Sequence, residues 1–210
     1  MPLRMSSSSS AVQAPRSPVN PVIVEQETAE ARIRSLLVLG GARSGKSAYA
    51  QGLAEAHGPD RLYLATAAAG DEEMAARIAR HRVDRGRGWA TLEEPIEIAA
   101  ALAAHAQPSR VVVVDCLTLW LSNLMLAGRD PGPALNALAD AIGGLAGPVI
   151  FVSNEVGMGI VPDHQLGREF RDWQGRANRE IGAACDAVIF VAAGFPLQLK
   201  PAATPSVHLG

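Results

Sequence analysis

The sequence predicts an α/β fold in which a mainly parallel sheet carries helices on both faces. Short runs rich in valine, leucine and isoleucine alternate along the chain with longer segments of helical spacing, a pattern typical of parallel sheets. One run, residues 110–116 (RVVVVDC), contains four consecutive valines, as expected for a strand buried on both faces. Polar residues directly follow several of the runs, at the edge where such sheets bind ligands.

The apolar runs predict strands, each bounded by glycine, proline or charged residues. We expect the first strand at 35–39 (SLLVL) and the second at 61–66 (RLYLAT). The valine run at 110–116 is the third, and 148–154 (PVIFVSN) is the fourth. The segment 186–194 (DAVIFVAAG) is predicted to be the last strand of the sheet.

Helices are predicted between these strands from the spacing of their apolar residues. The first follows the strand at 35–39 and ends near Gly58-Pro59, because this dipeptide is a strong stop signal. The others are expected at 71–85, around His105 in an alanine-rich stretch, and at 118–128, 134–147 and 166–185.

Composition limits the class of protein. The chain has 210 residues, of which 48% are hydrophobic, enough for one domain with a substantial core. A net charge of -2 and an aromatic content of 4% argue against a nucleic-acid partner. The two cysteines form no CxxC pair, which favours a reduced, cytoplasmic location. No apolar run approaches the ~18 residues of a membrane span.

The N-terminal residues differ in composition from the rest of the chain. Serine and proline dominate the first twenty residues, and such a segment buries too little apolar surface to offset its ordering entropy. It also lacks the apolar core of a secretory signal. We therefore expect a disordered extension at 1–33 and a folded domain at 34–210.

Residues 40–47 read GGARSGKS, which fits the phosphate-loop pattern G-x-x-x-x-G-K-[ST]. A glycine-rich turn before a helix directs backbone N–H groups and the positive helix end towards a phosphate group. Lys46 is expected to reach the β- and γ-phosphates, and Ser47 to ligate Mg²⁺. The predicted strand before the motif and the helix after it favour this interpretation over a glycine turn with an exposed lysine.

Asp115 closes the valine run at the end of the third predicted strand. In a chain with a phosphate loop, a carboxylate at such a strand end is placed to hold Mg²⁺ directly or through water. The alternative is that Asp115 caps the helix that follows it. We favour the metal role.

His81 has two interpretations. It lies three and seven residues after Ile78 and Met74, so helical spacing makes it a half-buried core histidine. Four arginines surround it, at positions 80, 82, 85 and 87. Such arginines can bind phosphate oxygens and lower the pKa of the imidazole, keeping it neutral and nucleophilic. His81 is therefore also a candidate nucleophile or acid–base group.

The segment 154–178 (NEVGMGIVPDHQLGREFRDWQGRAN) combines a glycine-containing loop with the start of a helix. Gly157 and Gly159 predict a mobile or tightly turned loop. On the helix, Phe170, Trp173, Ala177 and Ile181 share one side. Arginines at 168, 171 and 179 lie on the other, with Asp172 four residues after Arg168. Either a solvated ion-pair face or an anion-binding face explains them.

Four motifs, taken together, resemble a known family. GGARSGKS, DEEMAARIARHR, VDCLTLWLSNL and SNEVGMGIVP with the following GREFRDWQGRANREI occur in the order and spacing of the bifunctional adenosylcobinamide kinase / adenosylcobinamide-phosphate guanylyltransferases of cobalamin biosynthesis. The resemblance covers about residues 35–200. The phosphate loop is shared with many NTPases, whereas the histidine-containing motif and NEVGMGIVP are far more specific.

The resemblance implies a P-loop NTPase fold with a RecA-like sheet. It also implies two activities, phosphorylation of adenosylcobinamide by a nucleoside triphosphate and transfer of GMP from GTP to the product. ATP and GTP would be substrates, Mg²⁺ the cofactor, and the assembly a homotrimer. A P-loop small-molecule kinase without guanylyl transfer, or a nucleotide-dependent switch, are the alternatives.

The resemblance also assigns residues. His81 is the position of the histidine that carries the guanylyl group, and Lys46 is the second catalytic residue. Ser47 and Asp115 are the expected Mg²⁺ ligands. The positions matched to nucleotide contacts are Gly40, Gly41, Ala42, Arg43, Ser44, Gly45, Lys46, Ser47, Ala65, Thr66, Ala67, Arg82, Val83, Asp84, Arg85, Glu93 and Asp115.

Overall fold

The structure is a computed structural model, and it describes residues 33–67 and 88–201. The expected N-terminal extension, except its last residue, lies outside these ranges. So does the helix expected at 71–85, which contains His81.

Within the described residues the chain forms a seven-stranded sheet with the order β3-β2-β4-β5-β1-β6-β7. The first six strands in chain order run parallel, and β7 runs antiparallel to β6 at one edge. The strands are β1 (Ser35–Gly40), β2 (Arg61–Ala65), β3 (Trp89–Glu93), β4 (Val111–Asp115), β5 (Val149–Asn154), β6 (Ala187–Ala192) and β7 (Phe195–Lys200).

Two of the five helices in the described ranges begin at a residue whose side chain caps the helix. The Asp130 side chain accepts a hydrogen bond from the Gly132 N–H at the start of the fourth helix, and His164 does the same for the Gly167 N–H at the start of the fifth, as N-cap residues do. The helices are α1 (Lys46–His57), α2 (Ile98–His105), α3 (Leu117–Leu126), α4 (Pro131–Ile142) and α5 (Gln165–Ala184).

Two hydrophobic cores lie on opposite faces of the sheet. Among the described residues, helix α1 packs on one face and α2 to α5 pack on the other, so helices lie on both faces, as predicted from the alternation of strands and helices. Each fully buried large apolar side chain contributes roughly 1.5–3 kcal/mol. The first core includes Leu36, Val38, Ala50, Ala54, Val113 and Val152, and the second includes Leu37, Leu102, Trp120, Leu138, Phe151 and Ile181.

Two strands depart from the predictions. The segment 186–194 was expected to be the last strand, and this is wrong, because β7 follows it after the turn at Ala193-Gly194. Strand β7 contains Pro196 and is exposed along most of its length, so it lacks the signature of a buried strand and suits an edge position. Strand β3 was not predicted. It is the opposite edge strand, and none of its side chains is fully buried.

The described residues contain no helix that combines the length and the apolar character needed to cross a bilayer. Both cysteines are free and buried. Burial raises the pKa of the Cys116 thiol to about 11 and that of Cys185 to about 12. Each thiol is therefore protonated at neutral pH and is a poor nucleophile.

Asp186 links the beginnings of β1 and β6, and it is expected to make stability pH-dependent. Its Oδ2 accepts hydrogen bonds from the Arg34 and Ser35 N–H groups at 2.8 Å and 2.9 Å. Burial alone would raise the pKa of this carboxyl, but these bonds outweigh it and hold the pKa below the ordinary value of 3.8. The stabilisation is therefore present above pH 3.8 and is lost as the pH falls through the lowered pKa.

We predict that Asp186→Asn lowers the free energy of unfolding at pH 7 by on the order of 1 kcal/mol, a value that allows for solvent exposure. Urea titrations at pH 7 and pH 3 measure the effect, which should shrink at pH 3. Asp140→Asn, on the exposed side of α4, is the control. A deficit of equal size at both pH values would contradict the prediction.

Candidate functional site

The phosphate-loop motif forms a tight turn between β1 and α1. The Ser44 N–H donates to the Gly41 carbonyl at 3.3 Å, and the Tyr49 N–H donates to Gly45 at 2.9 Å as α1 begins. Arg43 (φ 57°) and Gly45 (φ 95°) adopt the left-handed conformation, which reverses the chain. The turn leads directly into the N-terminus of α1, whose first N–H groups have no partner within the helix and can bind a phosphate group.

The turn requires a glycine at position 40. A Cβ at Gly40 would lie 2.5 Å from both Ser44 Oγ and the Val191 carbonyl oxygen. The turn between β6 and β7 supports the loop from the same side, because the Gly194 N–H donates to the Ser44 carbonyl at 2.8 Å. The antiparallel edge strand, which the sequence did not predict, therefore helps to hold the phosphate loop.

Lys46 is the first residue of α1, and its side chain folds back onto the loop. Its Nζ donates to the Gly41 carbonyl at 3.2 Å, and the residue is only 9% exposed. A cation held over the loop with little access to water interacts strongly with a phosphate group placed there. Ser47 follows on the first turn of α1 and is half-buried.

Asp115 lies at the end of β4, on the same face of the sheet as α1. Val111 and Val113 belong to the core under α1, and Asp115 continues this alternation. Its Oδ2 accepts a hydrogen bond of 2.8 Å from the Tyr63 hydroxyl. The N-cap residue of α3 is Cys116, so the interpretation of Asp115 as the helix cap is wrong.

The oxygen donors of Ser47 and Asp115 are of the type that Mg²⁺ prefers. Mg²⁺ in nucleotide sites binds one or two protein oxygens, the substrate phosphates and several waters. Among the described residues no group of three or more His, Cys, Asp or Glu side chains could hold a metal ion alone. A hydroxyl and a carboxylate beside a phosphate loop fit Mg²⁺ that arrives with the nucleotide.

Thr66 joins the ends of β2 and β4. Its side chain is fully buried. The Thr66 hydroxyl donates to the Cys116 carbonyl at 2.7 Å and accepts from the Cys116 N–H at 2.8 Å. Asn123 of α3 donates to the Thr66 carbonyl at 2.7 Å. These bonds fix the backbone of Cys116, directly after Asp115, while a nucleotide contact at Ala65, Thr66 or Ala67 stays a prediction.

The other expected nucleotide contacts are spread along the sheet. Glu93 ends β3 and pairs with Ala65 of β2, and β3 is separated from β1 by three strands. At about 4.8 Å per strand, Glu93 lies roughly 19 Å from the phosphate loop along the sheet. His81, Arg82, Val83, Asp84 and Arg85 belong to the segment that joins β2 to β3 and lie outside the described residues.

The arginines at the start of α5 contact the preceding loop. Arg168 donates to the carbonyls of Pro162 and Asp163, and Arg171 donates to that of Gly157 at 2.7 Å. Both side chains therefore bind backbone carbonyls, an arrangement that neither the ion-pair nor the anion-binding interpretation described. The loop is turned at Gly157, whose N–H donates to the Glu155 carboxylate.

Sequence reasoning missed a set of polar residues between β5 and α5. Gln174 and Asn178 are buried on the side of α5 that also carries Ala177 and Ile181. The signal was present, because at 100° per residue both amides fall on the apolar side of the helix. Their partner Ser153 could not be identified, since the facing strand is distant in sequence.

Two features define the class of protein. The phosphate loop lies at the end of β1, and Asp115 lies at the end of β4, with β5 between these two strands. The chain is a P-loop NTPase with a mainly parallel α/β sheet. The model of the cobinamide kinase / cobinamide phosphate guanyltransferase family matches residues 36–199. The chain belongs to this family.

Relatives of the chain include proteins with an assigned role. The bifunctional adenosylcobalamin biosynthesis protein CobP of Pseudomonas aeruginosa is 48% identical over 167 residues, covering 78% of this chain and 96% of the relative. The protein of the same description named CobU in Escherichia coli is 39% identical over 180 residues, covering 79% and 99%. CobU of Salmonella typhimurium is 37% identical over 180 residues, with the same coverage.

The comparison with solved structures gives more distant matches. A prototypical ATPase from the type III secretion system of pathogenic bacteria has a TM-score of 0.46 and 11% identity, covering 79% of this chain and 56% of that one. The P4 protein of bacteriophage phi6 in complex with ADP has a TM-score of 0.43 and 17% identity, covering 89% and 60%.

We predict that Gly40→Ala weakens ATP and GTP binding by about tenfold or more, because the new methyl group displaces Ser44 or the Val191 carbonyl and distorts the loop. Gly52→Ala, at an exposed position of α1, is the control, since a Cβ there meets no atom within 4 Å. Titration calorimetry with each nucleotide and Mg²⁺ measures both variants. Equal affinities for the two variants would contradict the role assigned to Gly40.

Proposed function

We propose that the chain phosphorylates adenosylcobinamide and then transfers GMP from GTP to adenosylcobinamide-phosphate through a guanylyl-histidine intermediate, in cobalamin biosynthesis. The observation that carries this proposal is a complete phosphate loop, with Lys46 folded over it, in a member of the cobinamide kinase / cobinamide phosphate guanyltransferase family. The relatives' description as bifunctional adenosylcobalamin biosynthesis proteins supports it.

In the first reaction, the phosphate loop holds the triphosphate and Lys46 lies against its outer phosphates. The hydroxyl oxygen of adenosylcobinamide bonds to the γ-phosphorus, the bond from that phosphorus to the bridging oxygen breaks, and the hydroxyl proton passes to water. Lys46 and the loop N–H groups stabilise the negative charge that develops on the departing diphosphate. Mg²⁺ held by Ser47 and Asp115 would supply further charge neutralisation.

In the second reaction, an imidazole nitrogen of His81 attacks the α-phosphorus of GTP and pyrophosphate leaves. A phosphate oxygen of adenosylcobinamide-phosphate then displaces the imidazole and forms adenosylcobinamide-GDP. The covalent intermediate divides one difficult transfer into two easier displacements. The same loop can serve both reactions, because the attacked phosphorus atom changes from γ to α while the triphosphate stays in one cradle.

We also propose that the enzyme is a cytoplasmic homotrimer. The free thiol state of both cysteines supports a reducing compartment. A row of exposed apolar side chains along one side of β7 supports association between copies of the chain. The row consists of Phe195, Leu197 and Leu199, which are 78%, 61% and 46% exposed.

Lys46→Ala is predicted to lower the rates of both reactions by about 100-fold or more, because one cation stabilises the leaving group in each. The kinase is assayed by formation of adenosylcobinamide-phosphate, and the transferase by release of pyrophosphate from GTP. The midpoint temperature of unfolding should not fall, because burial of a cation costs free energy and the alanine removes that cost. Full kinase activity in this variant would contradict the shared cradle.

His81→Ala is predicted to abolish guanylyl transfer and to leave the kinase rate within about twofold of wild type. The protein is incubated with α-labelled GTP and Mg²⁺ and then denatured, and wild type should retain an acid-labile, base-stable GMP adduct. His105→Ala, at the end of α2, is the matched control and should retain the label. An adduct that persists in His81→Ala would exclude this residue as the nucleophile.

A further inference from the structure

A buried polar cluster connects β5 to α5. The Ser153 hydroxyl donates to Asn178 Oδ1 at 2.7 Å, and Gln174 Nε2 donates to Ser153 Oγ at 2.8 Å and to Asn178 Oδ1 at 3.0 Å. Ser153 and Gln174 are 0% exposed. Polar side chains in a hydrophobic core are costly unless they are hydrogen-bonded, and these three bond to one another.

The cluster fixes the backbone at the end of β5. Asn178 Nδ2 donates to the Asn154 carbonyl at 3.0 Å, and the Asn154 N–H donates to Thr118 Oγ1 of α3 at 2.8 Å. The next N–H group, that of Glu155, donates to the Gly40 carbonyl at 3.1 Å. Residue 154 is therefore held through both its carbonyl and its N–H, and the residue after it is bonded to the first residue of the phosphate loop.

The Asn154 side chain lies on the face of the sheet that carries the phosphate loop. Ile150 and Val152 of β5 belong to the core under α1, whereas Ser153 faces α5, so alternation places Asn154 on the α1 side. Asn154 pairs in register with Gly40. Strand β5 lies between β1 and β4, and Asn154 therefore stands between the phosphate loop and the strand that carries Asp115.

Gln174 is not needed to satisfy the other two members of the cluster. Ser153 and Asn178 bond to each other directly, and Gln174 Oε1 is buried without a protein partner among the described residues. An unpaired buried polar atom reduces stability, and an apolar residue of the same shape removes this cost. The amide of Gln174 is therefore better explained by a role in orienting the end of β5 than by a contribution to the stability of the fold.

We propose that Gln174 and Asn178 are positioning residues that hold the end of β5 so that the Asn154 amide contacts the γ-phosphate of a nucleoside triphosphate bound in the phosphate loop. This inference rests on the proposed function, because it assumes a triphosphate in the loop and a kinase reaction at its γ-phosphorus. The amide discriminates a triphosphate from a diphosphate and stabilises the phosphoryl group during its transfer.

The test compares Gln174→Met with Gln165→Met, the same change at an exposed position of α5. Titration calorimetry gives the affinities for ADP and for the non-hydrolysable β,γ-imido analogue of ATP, and urea titration gives stability. For Gln174→Met we expect unchanged or greater stability, an unchanged ADP affinity, and an analogue affinity lowered about tenfold. The kinase kcat should fall by a similar factor without a change in the KM for adenosylcobinamide. Gln165→Met should match wild type throughout.

Asn154→Ala provides a second measurement that does not disturb the buried cluster, and it should reproduce the selective loss of analogue affinity. The inference is overturned if either variant loses affinity for ADP and the analogue equally, if the ratio of the two affinities stays at the wild-type value, or if Gln174→Met loses stability and activity together. A wild-type protein that binds the analogue but does not phosphorylate adenosylcobinamide would contradict only the proposed function. A wild-type protein that binds neither nucleotide would overturn both.

Discussion

The candidate site depends on the close approach that Gly40 allows at the end of β1. The position of its missing Cβ is 2.5 Å from Ser44 Oγ on one side and from the Val191 carbonyl of β6 on the other. Because Gly40 has no side chain, the phosphate loop and β6 can both approach it closely. The chain can therefore turn from β1 directly into α1. Lys46 and Ser47 then lie at the edge of the sheet where β4 and β5 also end. The positions of these two residues therefore depend on the absence of a side chain at Gly40.

The antiparallel strand β7 supports this arrangement at two points. The turn that precedes it supplies the Gly194 N–H to the Ser44 carbonyl. At its other end, Lys200 places a cation at the C-terminus of α5, where the helix dipole favours positive charge. Helix α5 holds the end of β5, so β7 stabilises both the phosphate loop and the neighbouring strand end. The carbonyl oxygens that accept from Lys200 Nζ are those of Gly182, Ala183 and Cys185.

The parts of the fold that the sequence predicted are those with a local signal. The five apolar runs became β1, β2, β4, β5 and β6, and the phosphate loop was recognised from residue types at fixed spacing. Strand β3 was not predicted because it is a half-exposed edge strand without a buried apolar run. Strand β7 was not predicted because it contains Pro196 and is exposed along most of its length. The contacts of Gln174 and Asn178 with Ser153 escaped for a different reason. They depend on which strand faces the helix, and this register is a property of the whole sheet.

The bonds of Thr66 suggest how two reactions can share one nucleotide cradle. Two groups proposed for the kinase reaction are held by hydrogen bonds: Lys46 on α1 donates to the Gly41 carbonyl, and Asp115 at the end of β4 accepts from the Tyr63 hydroxyl. The histidine proposed for guanylyl transfer belongs to the segment that joins β2 to β3, and Thr66 is the first residue after β2. Thr66 holds the start of this segment against the backbone of Asp115 and Cys116. A defect at Thr66 would therefore disturb both the strand end that carries Asp115 and the start of the chain segment that contains His81, so a change at this one residue is expected to affect both proposed activities.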